Sequence, residues 1–399
     1  MADLETKFRR LESVRGPDLW PDIETRERRP LPEGGAGRRL AAGAVALVLA
    51  AAGAVLVARA FLGDDRSVER PVRPAESPPA PVDPVVDVTL PIRFPVSITY
   101  GAGSVWVVEM ANDGTESGTI HRIDPDTAET QAQIPVRTVP GWETGGGALD
   151  VADGDLWVAG GGSSANLVRI DAATNLVVDN IHVAARFLAD VAVDERGVWV
   201  SAFVRDRDGE GDAIDLVRLD PETGSEEARF PMESSYAREV LAVDGTIWLH
   251  ERLTHGSTVG GSVLTRLDPE TGRVLASVRL PVTAWMVTEG DGFIWAPIYD
   301  DEGNVLARLD PRTNELATFP AENLEFQIAV GEGGIWGVAR RGEDLFGPRA
   351  GIVRWEPVSG RIDASVPIDG SPIALAVAPG SVWVIHYTEG ATRIELRPA

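Results

Sequence analysis

The run Val240-Leu241-Ala242-Val243-Asp244-Gly245-Thr246-Ile247-Trp248-Leu249 decides how this chain is read. Two short apolar stretches flank Asp244-Gly245, a dipeptide that closes a two-residue hairpin because both positions accept positive φ. Leu264-Thr265-Arg266-Leu267 then reads as a third strand. Asp268-Pro269-Glu270-Thr271-Gly272 supplies the next turn, in which proline pre-sets φ and glycine takes the left-handed position. A fourth strand follows over Arg273-Val274-Leu275-Ala276-Ser277-Val278.

The unit recurs along the chain. Its tryptophan returns as Trp106, Trp157, Trp199, Trp248, Trp295, Trp336 and Trp383, in steps of 51, 42, 49, 47, 41 and 47 residues. Its arginine returns as Arg122, Arg169, Arg218, Arg266, Arg308, Arg354 and Arg393, each two residues before an acid. Four strands in a period of 40–50 residues predict an all-β fold, a seven-bladed β-propeller of four-stranded antiparallel blades. Seven evenly spaced tryptophans read as core between blades, and the arginines as structural ion pairs. The last repeat lacks an outer strand before the chain reaches Ala399. Val85-Val86-Asp87-Val88-Thr89-Leu90-Pro91 resembles the outer strands elsewhere and is expected to complete that blade, so that no sheet edge is left open.

Composition narrows the function. The 399 residues contain no cysteine, which excludes disulfides, thiolate metal sites and thiol nucleophiles. Lys7 is the single lysine among 37 basic residues. The net charge is -24, and a surface so acidic repels phosphate backbones, so nucleic acid is not an expected partner.

Four segments are expected: a cytoplasmic head over 1–39, a transmembrane helix over 40–62, a proline-rich stalk over 63–84 and the propeller over 85–399. Residues 40–58 carry no charge, and as a helix they span about 28 Å, close to a bilayer core. Arg38 and Arg39 before them and Asp64 and Asp65 after them place the N-terminus in the cytoplasm and the propeller outside. A cleaved signal peptide is the rival, since Ala58-Arg59-Ala60 offers small residues, but the leading 39 residues are long for one. The head is similar to short cytoplasmic heads of actinobacterial membrane proteins. It reads either as a solvated tail or as a docking peptide anchored by Leu19, Trp20 and Ile23. Pro71, Pro74, Pro78, Pro79, Pro81 and Pro84 favour an extended stalk.

The candidate site is the channel mouth, lined by the links between blades and the loops after each tryptophan strand. Glu109, Glu251 and His386 stand three residues after a tryptophan, with His250 and Tyr387 beside them. Glutamate with histidine can ligate a metal or move protons, and such residues are equally at home in solvated loops. Trp142, Arg186, Phe187, Tyr236, Arg238 and Trp285 form an expected aromatic and cationic rim suited to an anionic or glycan-like ligand. Asp206-Arg207-Asp208-Gly209-Glu210-Gly211-Asp212 spaces acids like a calcium loop, but Val217 stands where the closing glutamate belongs. No catalytic set, metal site or cofactor is assigned.

Gly103-Ser104-Val105-Trp106-Val107-Val108-Glu109 followed by Ile120-His121-Arg122-Ile123-Asp124-Pro125 resembles the repeats of streptogramin (virginiamycin B) lyase-like and NHL-type propellers over roughly 85–399. The resemblance implies a metal-assisted carbon–oxygen elimination that opens a cyclic lactone, with a histidine base and a magnesium-holding glutamate. Those histidines belong where one blade leads into the next. Here these links read Arg93-Phe94-Pro95, Ala185-Arg186-Phe187, Tyr236-Ala237-Arg238, Ala284-Trp285 and Glu325-Phe326, without a histidine. That departure weighs against lyase activity. The reading that follows is a membrane-anchored, extracytoplasmic, non-catalytic module that binds or senses a protein, glycan or small ligand, with a lyase-like enzyme as the alternative.

Overall fold

Five hairpin turns set the local geometry. Ala102-Gly103, Asp153-Gly154, Asp244-Gly245, Asp291-Gly292 and Glu332-Gly333 each hold both residues at positive φ, between 49° and 86°. This turn matches the right-handed twist of the strands on either side. Each one joins the first strand of a sheet to its second, as Ala237–Val243 joins Thr246–His255.

The computed structural model describes residues 80–399, apart from 112–114, 116, 138–147, 162–164, 206–211, 233–236, 256–257, 301–302, 322–323, 340–350, 358–359 and 388. Within it, seven sheets of four antiparallel strands follow one another. Blades one to six occupy residues 95–136, 149–182, 187–232, 237–279, 288–320 and 324–367. Blade seven combines Pro372–Ala378, Ser381–His386 and Glu389–Pro398 with the early strand Val82–Arg93. The innermost strand of each blade touches that of the next, and blade one meets blade seven, so the ring closes. The latch is longer than the 85–91 expected from sequence: it runs in register from Val82 opposite Pro398 to Arg93 opposite Glu389. A bulge between Val86 and Val88 lets Asp87 reach the Arg393 guanidinium.

The repeating tryptophan and arginine are partners. In all seven blades they sit directly opposite each other on the second and third strands, from Trp106 opposite Arg122 to Trp383 opposite Arg393. Every one of these indoles is buried to within 1% of full burial. Guanidinium groups lie over the indoles at 5.3 Å in blades one and two and 5.6 Å in blade three. The arginine then bonds forward into the next blade. Arg169 Nη1 donates to Pro221 O at 2.5 Å, Arg218 Nη1 to Pro269 O at 3.2 Å, and Arg393 Nη1 to Pro125 O at 3.1 Å. In these blades one layer of side chains therefore fills the blade and grips its neighbour.

The acid two residues after the arginine is not its ion-pair partner. In blade three the strand ends there, and Asp220 Oδ1 instead accepts the N–H groups of Glu222 at 3.0 Å and Thr223 at 2.7 Å to close the Asp-Pro turn. The backbone N–H of Thr223 is the main reason its carboxyl titrates below the usual range. Arginine charge is met elsewhere, as Arg169 by Asp155, Arg218 by Glu227 and Arg354 by Asp363.

The head and transmembrane segments expected at 1–39 and 40–62, and most of the 63–84 stalk, lie outside the described residues. Among the described residues no helix is long and apolar enough to cross a membrane.

Candidate functional site

The two ends of the ring differ in build. At one end, all seven first hairpins turn within two residues, as between Gly101 and Ser104 or Ala378 and Ser381. The other end carries the links between blades and the connections from second to third strand, which run from Met110 to Gly118 in blade one and from Ala339 to Gly351 in blade six. We call these the turn face and the loop face.

The loop face presents Trp285, 46% exposed, with the Arg252 guanidinium 5.1 Å over its ring. Tyr387 is 48% exposed. Arg186 is exposed, and Phe187 stacks on Phe203 at 4.3 Å. Trp142 and Tyr236 lie outside the described residues. Arg238 falls on the inner strand of blade four.

The acids and histidines expected at the mouth are not brought together. Glu109 Oε2 lies 2.8 Å from His121 Nε2 in blade one. Glu251 accepts from Thr265 Oγ1 at 2.5 Å in blade four. His386 is buried in blade seven, its Nε2 2.8 Å from Thr392 Oγ1, and burial lowers its pKa. His250 is not a rim residue at all. It is fully buried, with Nδ1 2.5 Å from Glu239 Oε2 and Nε2 3.0 Å from Ser262 Oγ. Among the described residues no three His, Asp or Glu side chains cluster closely enough to hold a metal ion. The acidic run 206–212, spaced like a calcium loop, falls almost wholly outside the described residues.

A channel of about 500 Å³ runs through the ring, walled by the inner strands of all seven blades. Among the described residues that line it, four are acids, Asp150, Asp190, Glu239 and Glu289, and none is lysine, arginine or histidine. Asp150 Oδ2 accepts the Val193 N–H at 2.7 Å, and Asp190 Oδ2 accepts the Val240 N–H at 3.0 Å. Each bond crosses to the next blade and satisfies an edge-strand donor. Burial pushes the Asp150 carboxyl up to about 6, against these hydrogen bonds. Asp190 is pushed up by burial and then by the nearby Glu239 and Asp150 charges. Burial and the charges of Asp150 and Asp244 push Glu289 up to about 7. In sequence these four do not stand out: Asp150 and Asp190 each sit alone between apolar residues, as in Leu149-Asp150-Val151, Glu239 follows Arg238, and Glu289 leads into a Gly-Asp-Gly turn. The signal was present: such an acid on consecutive innermost strands must converge on one axis.

A carboxyl that titrates higher in the folded chain stabilises fully below its unfolded pKa, and that stability is lost as pH rises through the folded value. For Glu289 the loss falls between about pH 4.5 and 7. Channel water still reaches this side chain, so solvent screening limits the effect to about 1 kcal/mol. Glu289→Gln is expected to raise the melting temperature by about 2 °C at pH 8 and leave it unchanged at pH 4. Thermal melts at the two pH values check this; equal shifts at both would refute a titration origin.

No family model matches the sequence, and no curated protein matches it. Solved structures do. The chain is similar to BamB from Moraxella catarrhalis, with a TM-score of 0.51 at 14% identity, covering 78% of this chain and 99% of that one. It is likewise similar to the Neurospora crassa Pan2 WD40 domain, with a TM-score of 0.54 at 10% identity, covering 82% and 92%. At these identities what is shared is the ring of blades.

Proposed function

We propose that this chain is a binding module that engages a protein, glycan or small ligand through its loop face, held at a membrane by residues 40–62 with the propeller outside the cytoplasm. The observation that carries the reading is the asymmetry of the ring. The turn face carries two-residue hairpins and turns of four or six residues, whereas the loop face gathers exposed Trp285, Tyr387 and Arg186 on connections that run from one residue to twelve. Aromatic and arginine side chains give recognition surfaces much of their binding energy. The separate pairings of Glu109, Glu251, His250 and His386 argue for recognition rather than metal-assisted elimination.

The absence of cysteine makes a direct test available. Tyr387→Cys, on the loop face, and Ala102→Cys, on the turn face, are each labelled in intact cells with a membrane-impermeant maleimide that carries a photo-crosslinker. Both should label, and Ala2→Cys should not. Only Tyr387→Cys should give a discrete crosslinked species, and adding Trp285→Ala should reduce it at least fivefold. Labelling of Ala2→Cys alone would reverse the topology, and crosslinking confined to Ala102→Cys would move the site to the other face.

A further inference from the structure

The channel acids are ordered along the ring axis. Cross-strand pairing places Asp150, Ala192, Leu241 and Thr288 level with one another, each opposite its blade's tryptophan. Asp190 and Glu239 stand two residues before that level, toward the loop face, and Glu289 one residue after it, toward the turn face. At about 3.3 Å per residue, the carboxylates are spread over about 10 Å of the axis. They occupy the consecutive blades two to five. The described residues of the wall opposite, from blades six, seven and one, are neutral and include Ile328, Ala374, Ala376 and Ile98. One side of the channel is thus acidic and the other largely apolar.

One acid on this side is not fully satisfied from within: Asp150 accepts the Val151 and Val193 N–H groups and Glu239 meets His250, but Asp190 is left short. Asp190 is 4% exposed, and its Oδ1 has no hydrogen-bond partner although Oδ2 has one. A buried carboxylate oxygen left unpaired is costly, more so beside other acids. Among the described residues no cationic side chain lines the channel to relieve it. A partner that donates a hydrogen bond to this oxygen and carries positive charge would both satisfy it and offset the neighbouring acids. A single metal ion does not fit, because the acids do not converge on one point. Charge spaced along a flexible chain does.

We propose that the channel binds a linear aliphatic oligoamine, with ammonium groups taken by Asp190, by Asp150 and by Glu289, and with its methylenes against the neutral wall. An ammonium group offers three donors, which suits the unpaired Asp190 oxygen. The volume of about 500 Å³ lies within the range of small-molecule sites. This site is separate from the loop face, and either proposal can fail without the other.

The test is isothermal titration calorimetry of the full chain in nanodiscs, with spermidine as the probe and magnesium chloride as the comparison. Saturable binding near one per chain is expected, weakened at least tenfold by Asp190→Asn and by Glu289→Gln, and unchanged by Glu227→Gln on the outer surface. Glu289 accepts no backbone bond, so its variant keeps the test sound if Asp190→Asn does not fold. Non-saturating binding, binding indifferent to Glu289→Gln, or magnesium binding of equal strength lost in the same variants would each overturn the proposal.

Discussion

Deleting residues 82–93 is expected to abolish the cooperative melting of the whole propeller, although those residues form only one outer strand. The strand pairs with Glu389–Pro398 along its length, and Thr89 Oγ1 meets Thr392 Oγ1 at 2.9 Å across 303 positions of sequence. Without it, Arg393 loses Asp87, its anionic partner. Leu90, Val88 and Val82 leave the clusters that contain Trp383 and Trp336. Strand Glu389–Pro398 becomes an edge with a row of unpaired donors and acceptors. In a ring, a fault in one blade also removes a neighbour from each blade beside it. The combined loss is of the order of the 5–15 kcal/mol that holds a domain together. Circular dichroism melts and size exclusion report the outcome. A sharp transition within a few degrees of the full chain would show that the ring does not depend on its latch.

The latch also shows what could be read from sequence and what could not. Its alternation was visible at 85–91, but Pro84 assigned the three preceding residues to the stalk. An outer strand tolerates proline because its free side needs no donor, and Pro84 pairs opposite Leu396 without penalty. The tryptophan–arginine pairing was legible as a repeat, but not as a bridge between blades, because the carbonyl groups it reaches lie about one period later in sequence. His250 was placed at the rim for its nearness to Glu251. Strand periodicity argues otherwise: two residues beyond Trp248, it shares the inward face of that indole, while Glu251 faces the opposite way. Glu239 and Ser262 went unremarked because their relation to His250 exists only once three strands are side by side. For the loop face, sequence identified Trp285, Arg186 and Phe187 as neighbours of the blade links, and the strand order alone explains that.

Replacing His250 is expected to cost about 3–5 kcal/mol, close to 10 °C in melting temperature, without touching any reaction. Its ring joins Glu239 on the inner strand of blade four to Ser262 on the third, and Ser262 Oγ accepts the Ala284 N–H at 3.0 Å in the link to blade five. His250→Leu fills the space but leaves Glu239, 5% exposed, without the partner that holds its charge. Glu239→Gln keeps an acceptor and removes the charge, so it should cost less, about 1–2 kcal/mol. The combined variant should fall short of the sum, because the second change removes the group that the first one stranded. Carboxylate, imidazole and hydroxyl stand in the order that activates a nucleophilic serine. Burial decides against that use. His250 and Ser262 have no exposed surface, and the Ser262 oxygen is already committed to a backbone amide. Ser262 should therefore resist a fluorophosphonate probe while Ser262→Ala lowers stability by about 1–2 kcal/mol. A labelled Ser262 with unchanged stability would mean that blade four opens and that this chain of bonds serves chemistry; the reverse pattern assigns it to holding blades four and five in register.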